Sequence, residues 1–181
     1  FVYRENIAQL DRLGKILYFS PLKGDALPAA ELVYFPGGYP ELYAYRLQKQ
    51  QRLMSELREY VECGGRLLAE CGGMIFLSRS LTNSKGDKRY KMSGILPLDC
   101  TMENARLNLG YRKMHIAGIE WRGHEFHYSD VVSPEAIPTV ATQQNANGVD
   151  VTTPLYRYKN VIAGFTHWYW GEKEIMDLWN L

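Results

Sequence analysis

RLLAECGGMIFL, at residues 66–77, is the stretch that decides the fold of this 181-residue chain. Its apolar first part predicts a buried strand, and the helical pattern after the glycine pair predicts a helix. Cys71 stands at the sharp turn between them, in the arrangement called a nucleophile elbow. The free N–H groups and positive dipole end of the helix would favour a thiolate there. The alternative is a small buried thiol that only packs.

Strands and helices alternate around this stretch. The alternation predicts an α/β fold, an open and mostly parallel sheet flanked by helices, of the flavodoxin-like kind. Predicted strands are 15–19, 32–35 and 66–69, and predicted helices are 6–13, 41–62 and 74–81.

The second half of the chain changes character after Thr82 and turns to short β-like runs. These runs predict an antiparallel β extension of the sheet. A hairpin is predicted about Lys159-Asn160, and a C-terminal helix ends the chain. The runs are 92–96, 107–116, 119–121, 125–128, 156–158 and 161–165, the loops 134–138 and 143–147, and the last helix 172–179.

Bulk properties exclude several classes of protein. A net charge of +1 with scattered Lys and Arg argues against nucleic-acid binding. No apolar stretch approaches the ~20 residues of a membrane span. Three cysteines argue against a disulfide framework and for a cytoplasmic protein. One domain is predicted for 1–181, and the start at Phe1, without an initiator Met, predicts a piece of a longer polypeptide.

A second glycine turn, Pro36-Gly37-Gly38, follows the predicted strand 32–35. The carboxyl ends of parallel strands meet at one edge of a sheet, so this turn is expected near Cys71. The N–H of Gly37 or Gly38, together with that of Gly72, can then form an oxyanion hole. The alternative is that Pro-Gly-Gly is only a turn.

A cysteine nucleophile needs a base, and the chain has four histidines. His167 follows the apolar run 161–165, which would bring it to the same sheet edge as Cys71. His115 lies in a β-like run and is predicted to be structural or exposed. His124 and His127 have a spacing that suggests metal on a helix, but on a strand they face opposite sides. We therefore predict no metal site there, and expect a polar strand or a substrate-facing edge.

Five segments in a fixed order carry a family resemblance. They are YFPGGYPEL (34–42), AECGGM (69–74), GILP (94–97), LGYR (109–112) and GHEFHYS (123–129). Together they resemble the glutamine amidotransferase domain of cobyrinic acid a,c-diamide synthase, in cobalamin biosynthesis. The resemblance runs from Glu5 to His167, nearly the whole chain.

The resemblance implies a chemistry for the site residues. It implies that Cys71 attacks the side-chain amide of glutamine and that Gly37 or Gly38 with Gly72 holds the oxyanion. It also implies that His167 activates the cysteine and protonates the departing ammonia. No cofactor is implied in this domain. ATP and Mg2+ belong to a preceding synthetase domain, which activates the a and c carboxylates of a corrinoid acceptor.

Two departures qualify the resemblance. Tyr169 stands where most class I amidotransferases carry a Glu, which predicts a Cys–His dyad. The chain has no Gly-x-x-x-x-Gly-Lys-[Ser/Thr] phosphate loop, and the first strand of the family's sheet precedes Phe1. A homodimer would cover the edge that this leaves. Two alternatives stay open: the related nickel-sirohydrochlorin a,c-diamide synthase, and a docking domain that has lost efficient turnover.

Overall fold

The computed structural model describes residues 1–116, 118–132, 137–171 and 173–179. The helices are α1 (Arg4–Leu13), α2 (Pro40–Leu47), α3 (Gln51–Glu62) and α4 (Gly72–Leu77), with 3-10 turns at Pro21–Lys23 and Ile175–Trp179. The strands are β1 (Leu32–Phe35), β2 (Arg66–Glu70), β3 (Ser80–Thr82), β4 (Arg89–Lys91), β5 (Asp99–Thr101), β6 (Asn108–Ile116), β7 (Ile119–His127), β8 (Asp130–Val132), β9 (Gln143–Gln144), β10 (Asp150–Val151), β11 (Leu155–Tyr158), β12 (Val161–Gly164) and β13 (His167–Tyr169).

A central sheet in the order β1-β2-β12-β11 positions the site. β1 pairs parallel with β2, and β2 pairs parallel with β12, so that Glu70 lies opposite Gly164. β11 closes the sheet as the predicted antiparallel hairpin partner of β12. The three parallel strands therefore deliver their carboxyl ends to one edge, as the doubly wound pattern requires.

The core has two parts, one on each face of the central sheet. β2 is buried on both sides, and its side chains alternate: Leu67 and Ala69 pack in one cluster and Leu68 in the other. The first cluster includes the apolar stripe of α3, which recurs at helical spacing and is fully buried. The second cluster holds three buried tryptophans, Trp121, Trp168 and Trp170. Burying each large apolar side chain contributes roughly 1.5–3 kcal/mol.

The antiparallel extension consists of two further sheets. One has the order β10-β9-β6-β7-β13, and the other has the order β4-β3-β5-β8. β13 pairs antiparallel with β7, which sets His167 opposite His124. Because β13 follows β12 after two residues, this second sheet joins the carboxyl edge of the central sheet directly.

Buried polar side chains of α1 fix the segment that follows His167. The side-chain amide N–H of Asn6 donates to the carbonyl of Trp168 at 2.7 Å, and the backbone N–H of Trp170 donates to the Oδ1 of Asn6 at 3.0 Å. Gln9 accepts from the N–H of Ile175 at 3.3 Å. These bonds satisfy backbone groups that burial would otherwise leave unpaired, and they hold β13 against α1.

Several predicted elements differ from the structure. Residues 15–19 and 92–96, all within the described ranges, are not strands. The helical region 41–62 is two helices, α2 and α3, with a break at 48–50, and α4 ends at Leu77 because β3 begins at Ser80. The C-terminal helix is a 3-10 turn, Ile175–Trp179. Residue 172 of that prediction, and 134–136 of the predicted loop, lie outside the described residues.

Candidate active site

Cys71 is the residue between β2 and α4, and its backbone is strained. Its φ is 48° and its ψ is −109°, a positive-φ conformation that costs a residue with a β-carbon of order 1–3 kcal/mol. The Cys71 N–H donates to the carbonyl of Gly164 at 2.7 Å, which ties the turn to β12. The turn has the strand–helix geometry of a nucleophile elbow.

Two glycine turns meet beside this elbow. A β-carbon added to Gly72 would lie 2.3 Å from the carbonyl oxygen of Gly38, and one added to Gly73 would lie 2.4 Å from that of Phe35. Only glycine permits backbones to approach so closely. The sequence Pro36-Gly37-Gly38 is therefore more than a turn, since it packs directly on the start of α4.

Gly37 and Gly38 have different environments. The Gly37 N–H donates to the carbonyl of Phe1 at 3.2 Å, and the Phe1 amino group donates to the Gly37 carbonyl at 2.7 Å. Gly38 lines the same cavity as Cys71. Of the two glycines left open by the sequence, Gly38 is the one that lines the cavity, and the Gly37 N–H is already engaged.

The cavity has a volume of about 130 Å³ and a mixed polar and apolar lining. It brings together Gly38, Cys71 and His167, of which the last two lie 96 positions apart in the chain. His124 and His127 also line the cavity. Their spacing on a strand predicted opposite faces, but His127 is the last residue of β7. The sequence did not single out Glu41, which lines the cavity from the first turn of α2.

The Cys71 thiol is less acidic than the sequence suggested. Burial raises the pKa of Cys71 to about 11; the Gly72 N–H, which hydrogen-bonds the sulfur, lowers it only in part, and the Glu41 carboxylate raises it further. The expectation of a ready thiolate at the helix N-terminus is thus wrong for this state of the site. The S–H donates to the carbonyl of Phe126 at 3.7 Å, so a base has to remove the proton.

Three histidines surround the sulfur's cavity, and their hydrogen bonds distinguish them. The Nδ1 of His127 lies 2.8 Å from the Ser129 carbonyl, and its Nε2 lies 3.7 Å from Glu125. The Nδ1 of His124 pairs with the Tyr3 hydroxyl at 2.6 Å. His127 and His124 therefore each have one ring nitrogen in a hydrogen bond, and the Nε2 of His127 is buried without one among the described residues.

His167 differs in that its ring has no hydrogen bond to any described residue, and its buried Nδ1 is without a partner. Its ring stacks on that of His124, with centroids 4.9 Å apart. A β-carbon added to Gly37 would lie 2.0 Å from its Cε1, so the ring packs directly on the glycine turn. Burial first, and the neighbouring His124 second, lower the pKa of His167 to about 4. The imidazole is therefore neutral at physiological pH, the form that accepts a proton.

His127 belongs to a buried ionic cluster. Glu125 is fully buried and forms an ion pair with Arg112, with the His127 ring on its other side. Burial raises the pKa of Glu125, but hydrogen bonds from His127 and Thr153 and the charge of Arg112 outweigh it and lower that pKa. The cluster fixes the end of β7 beside the cavity.

The described ranges contain neither a metal-binding cluster nor a membrane-spanning helix. Within them, no three His, Cys, Asp or Glu side chains are grouped so as to hold a metal ion. Nor does any helix in that part of the chain have the length and apolar character to cross a membrane.

Comparison with known proteins identifies the family. Residues 1–175 match the model of the CobB/CobQ-like glutamine amidotransferase domain, and the chain belongs to this family. A hydrogenobyrinate a,c-diamide synthase of Stutzerimonas stutzeri is 35% identical over 93% of the chain and 39% of that protein. A cobyrinate a,c-diamide synthase of Herminiimonas arsenicoxydans is 35% identical over 94% and 39%. The chain thus spans about two fifths of the length of these curated relatives.

Solved structures agree on the fold. A crystal structure of a glutamine amidotransferase superposes with a TM-score of 0.57 at 18% identity, covering 91% of this chain and 84% of the other. The resemblance predicted from the five segments and the predicted α/β class are both confirmed.

Proposed function

We propose that this domain hydrolyses glutamine through Cys71 and releases ammonia for amidation of a carboxylate. The observation that carries the proposal is the shared cavity, in which a strained cysteine, a neutral buried histidine and two converging glycine backbones adjoin. These are the parts that acyl transfer through a thiol requires. Membership of the glutamine amidotransferase family supports glutamine as the substrate.

The first half-reaction forms a thioester. His167 takes the S–H proton as the Cys71 sulfur bonds to the side-chain amide carbon of glutamine. The amide oxygen becomes an oxyanion beside the N–H groups of Gly38 and Gly72. The C–N bond then breaks, and the imidazolium returns its proton to the leaving nitrogen, which departs as ammonia. Losing one oxyanion donor typically costs about 100-fold or more in rate.

The second half regenerates the enzyme. A water loses a proton to His167 and attacks the γ-glutamyl thioester, the C–S bond breaks, and the sulfur recovers its proton. The sum is glutamine and water converted to glutamate and ammonia. Because the thiol pKa is about 11, proton transfer to His167 has to accompany attack rather than precede it.

Glu41 is the proposed site for the α-ammonium group of glutamine. Glu41 lines the cavity, and within the described residues only burial and a backbone hydrogen bond act on the pKa of its carboxylate, with no side-chain partner. Burial raises the pKa of Glu41, which marks a partly desolvated anion without a counter-ion. A substrate ammonium would supply that counter-ion, and it would also offset the charge that raises the pKa of Cys71.

The acceptor is proposed to be a corrinoid carboxylate. The curated relatives are named for hydrogenobyrinate and cobyrinate a,c-diamide synthesis, and this chain corresponds to about two fifths of their length. We propose that an ATP-dependent synthetase domain precedes it in the same polypeptide, binds ATP and Mg2+, activates the acceptor and receives the ammonia. The interior of a cell, with its ATP and reduced thiols, is the proposed setting.

Selective labelling of Cys71 tests the proposal. A diazo-ketone analogue of glutamine should alkylate Cys71 and spare Cys63 and Cys100, of which Cys63 is exposed and Cys100 is buried. Because Cys63 is the accessible thiol without a substrate cavity, it is the internal control. Equal labelling of Cys63 and Cys71, or no labelling, favours the non-catalytic docking domain instead.

Replacement of the nucleophile completes the test. In the full-length protein, Cys71→Ser should abolish glutamine-dependent amidation while free ammonia still serves as nitrogen donor. Normal glutamine hydrolysis by the serine variant would show that another residue is the nucleophile.

A further inference from the structure

The histidine of this site has no carboxylate at the position where class I amidotransferases usually supply one. That position is Tyr169, whose side chain is partly exposed and contacts the ring of Tyr3 at 5.3 Å between centroids. The buried Nδ1 of His167 is left without a hydrogen bond to any described residue. His167 is only 4% exposed, so a ring nitrogen without a hydrogen-bond partner costs free energy unless another group supplies that partner.

A buried carboxylate faces this nitrogen from a different strand. Glu70 is the last residue of β2, directly before Cys71, and is 1% exposed. Its Oε2 lies 4.0 Å from the Nδ1 of His167. Strand alternation puts Glu70 on the same face of β2 as Leu68, the face that packs against β13.

Glu70 is held firmly in this position. The Tyr34 hydroxyl donates to its Oε2 at 2.6 Å, and the Trp168 N–H donates to its Oε1 at 3.0 Å. Trp168 is the neighbour of His167, so the carboxylate is already bonded to the strand that carries the imidazole. Each oxygen retains capacity for another donor.

We propose that Glu70 is the positioning residue for His167, supplying from the strand before the nucleophile the carboxylate that Tyr169 lacks. The inference rests on the proposed function and adds a third member to its Cys–His pair. An Nδ1–H held by Glu70 leaves Nε2 free to accept the thiol proton. The 4.0 Å separation has to shorten by about 1 Å, as catalytic hydrogen bonds do when substrate binds.

The pH dependence of activity should report this contact. Burial raises the pKa of Glu70 to about 7, while the bonds from Tyr34 and Trp168 act to lower it. The other titratable side chains facing His167 are those of His124 and His127. The ionised carboxylate holds Nδ1–H more strongly than the neutral acid and stabilises the imidazolium, so kcat/KM should rise as the pH increases through about 7.

Glu70→Gln in the full-length protein tests the inference. The amide can still accept from the Trp168 N–H, so the fold should persist, but it removes the charge that orients His167. We expect kcat for glutamine hydrolysis to fall at least ~10-fold with KM within about twofold, and the rise near pH 7 to disappear. Glu70→Asp should retain part of that rise. The control Glu62→Gln changes an exposed carboxylate of α3 and should match the wild type.

Tyr34→Phe provides a second measurement that does not alter Glu70. Losing the phenol hydrogen bond removes a contact that lowers the Glu70 pKa. The rise in kcat/KM should therefore move upward by about 1 pH unit. If Glu70 had a purely structural role, the midpoint of the rise in kcat/KM would stay unchanged in Tyr34→Phe.

The outcomes separate the two proposals. A wild-type protein that neither hydrolyses glutamine nor labels at Cys71 would overturn the proposed function and this inference with it. An active wild type whose Glu70→Gln variant keeps its kcat and pH profile overturns the inference alone. An unshifted midpoint of the pH profile in Tyr34→Phe also overturns the inference alone. This measurement still decides the matter if Glu70→Gln does not fold.

Discussion

Gly37→Ala should disable the site without touching a reacting group. The added β-carbon would lie 2.0 Å from the Cε1 of His167, 2.9 Å from its Nδ1 and 3.1 Å from its Nε2. The nearest of these must retreat by about 1.4 Å to reach 3.4 Å, where ordinary van der Waals contact begins. His167 is 4% exposed and stacked on His124, so it has little free space.

The expected loss follows from that displacement. A misplacement of about 1 Å in a catalytic group can cost roughly 100-fold, so kcat for glutamine hydrolysis should fall by about that factor or more. Overpacking should also lower the free energy of unfolding by about 1–3 kcal/mol. The assay is glutamate release across a range of glutamine concentrations, with denaturant unfolding of the same samples.

Gly14→Ala is the matched control. Gly14 follows α1, its φ of 169° is extended backbone, and an added β-carbon would meet nothing within 4 Å. Its turnover should equal that of the wild type. If Gly37→Ala also turned over glutamine at the wild-type rate with unchanged stability, the close packing of His167 on Gly37 would be wrong, and with it the geometry argued for the base.

Two further substitutions test the roles of individual side chains. His167→Ala should reduce kcat by about 100-fold to 10,000-fold and slow alkylation of Cys71 near neutral pH. Unchanged alkylation would transfer the base role to His124 or His127, which line the same cavity. Glu41→Gln should raise KM for glutamine about 10-fold to 100-fold, the value of a lost charge-assisted hydrogen bond, while a small neutral alkylating agent should react with Cys71 at least as fast, because a negative charge that raises its pKa is gone. Unchanged KM would exclude Glu41 from ammonium binding.

The sequence predicted the elements that depend on local pattern. β1, β2 and the hairpin of β11 and β12 are apolar runs bounded by turn residues, and each was predicted close to its observed bounds. The helical stripe predicted the end of α3 at Glu62 but not its start at Gln51. The predictions at 15–19 and 92–96 failed because apolar β-branched content is not enough. A strand exists only where a neighbour pairs with it.

The site was predicted in part because its residues follow strand ends. Cys71 and the glycine turns carry local signals, and His167 follows an apolar strand, so topology alone brings them to one edge. Glu70 and Glu41 carry no such signal. Both lie in segments that carry the family resemblance, but a glutamate at the end of a strand, or one after Tyr-Pro, does not by itself indicate a role in the site.

What the chain determined by itself is therefore the set of strands and glycine turns that lead to the site, because periodicity and glycine geometry act over a few residues. Tertiary structure alone decided the electrostatics. It buried the Cys71 thiol and raised its pKa against the pull of the helix N-terminus, engaged the Gly37 N–H with Phe1, and turned Glu70 toward His167 from a separate strand. The solvation of a site residue and its hydrogen-bond partners depend on groups far apart in sequence, and only the folded chain brings those groups together.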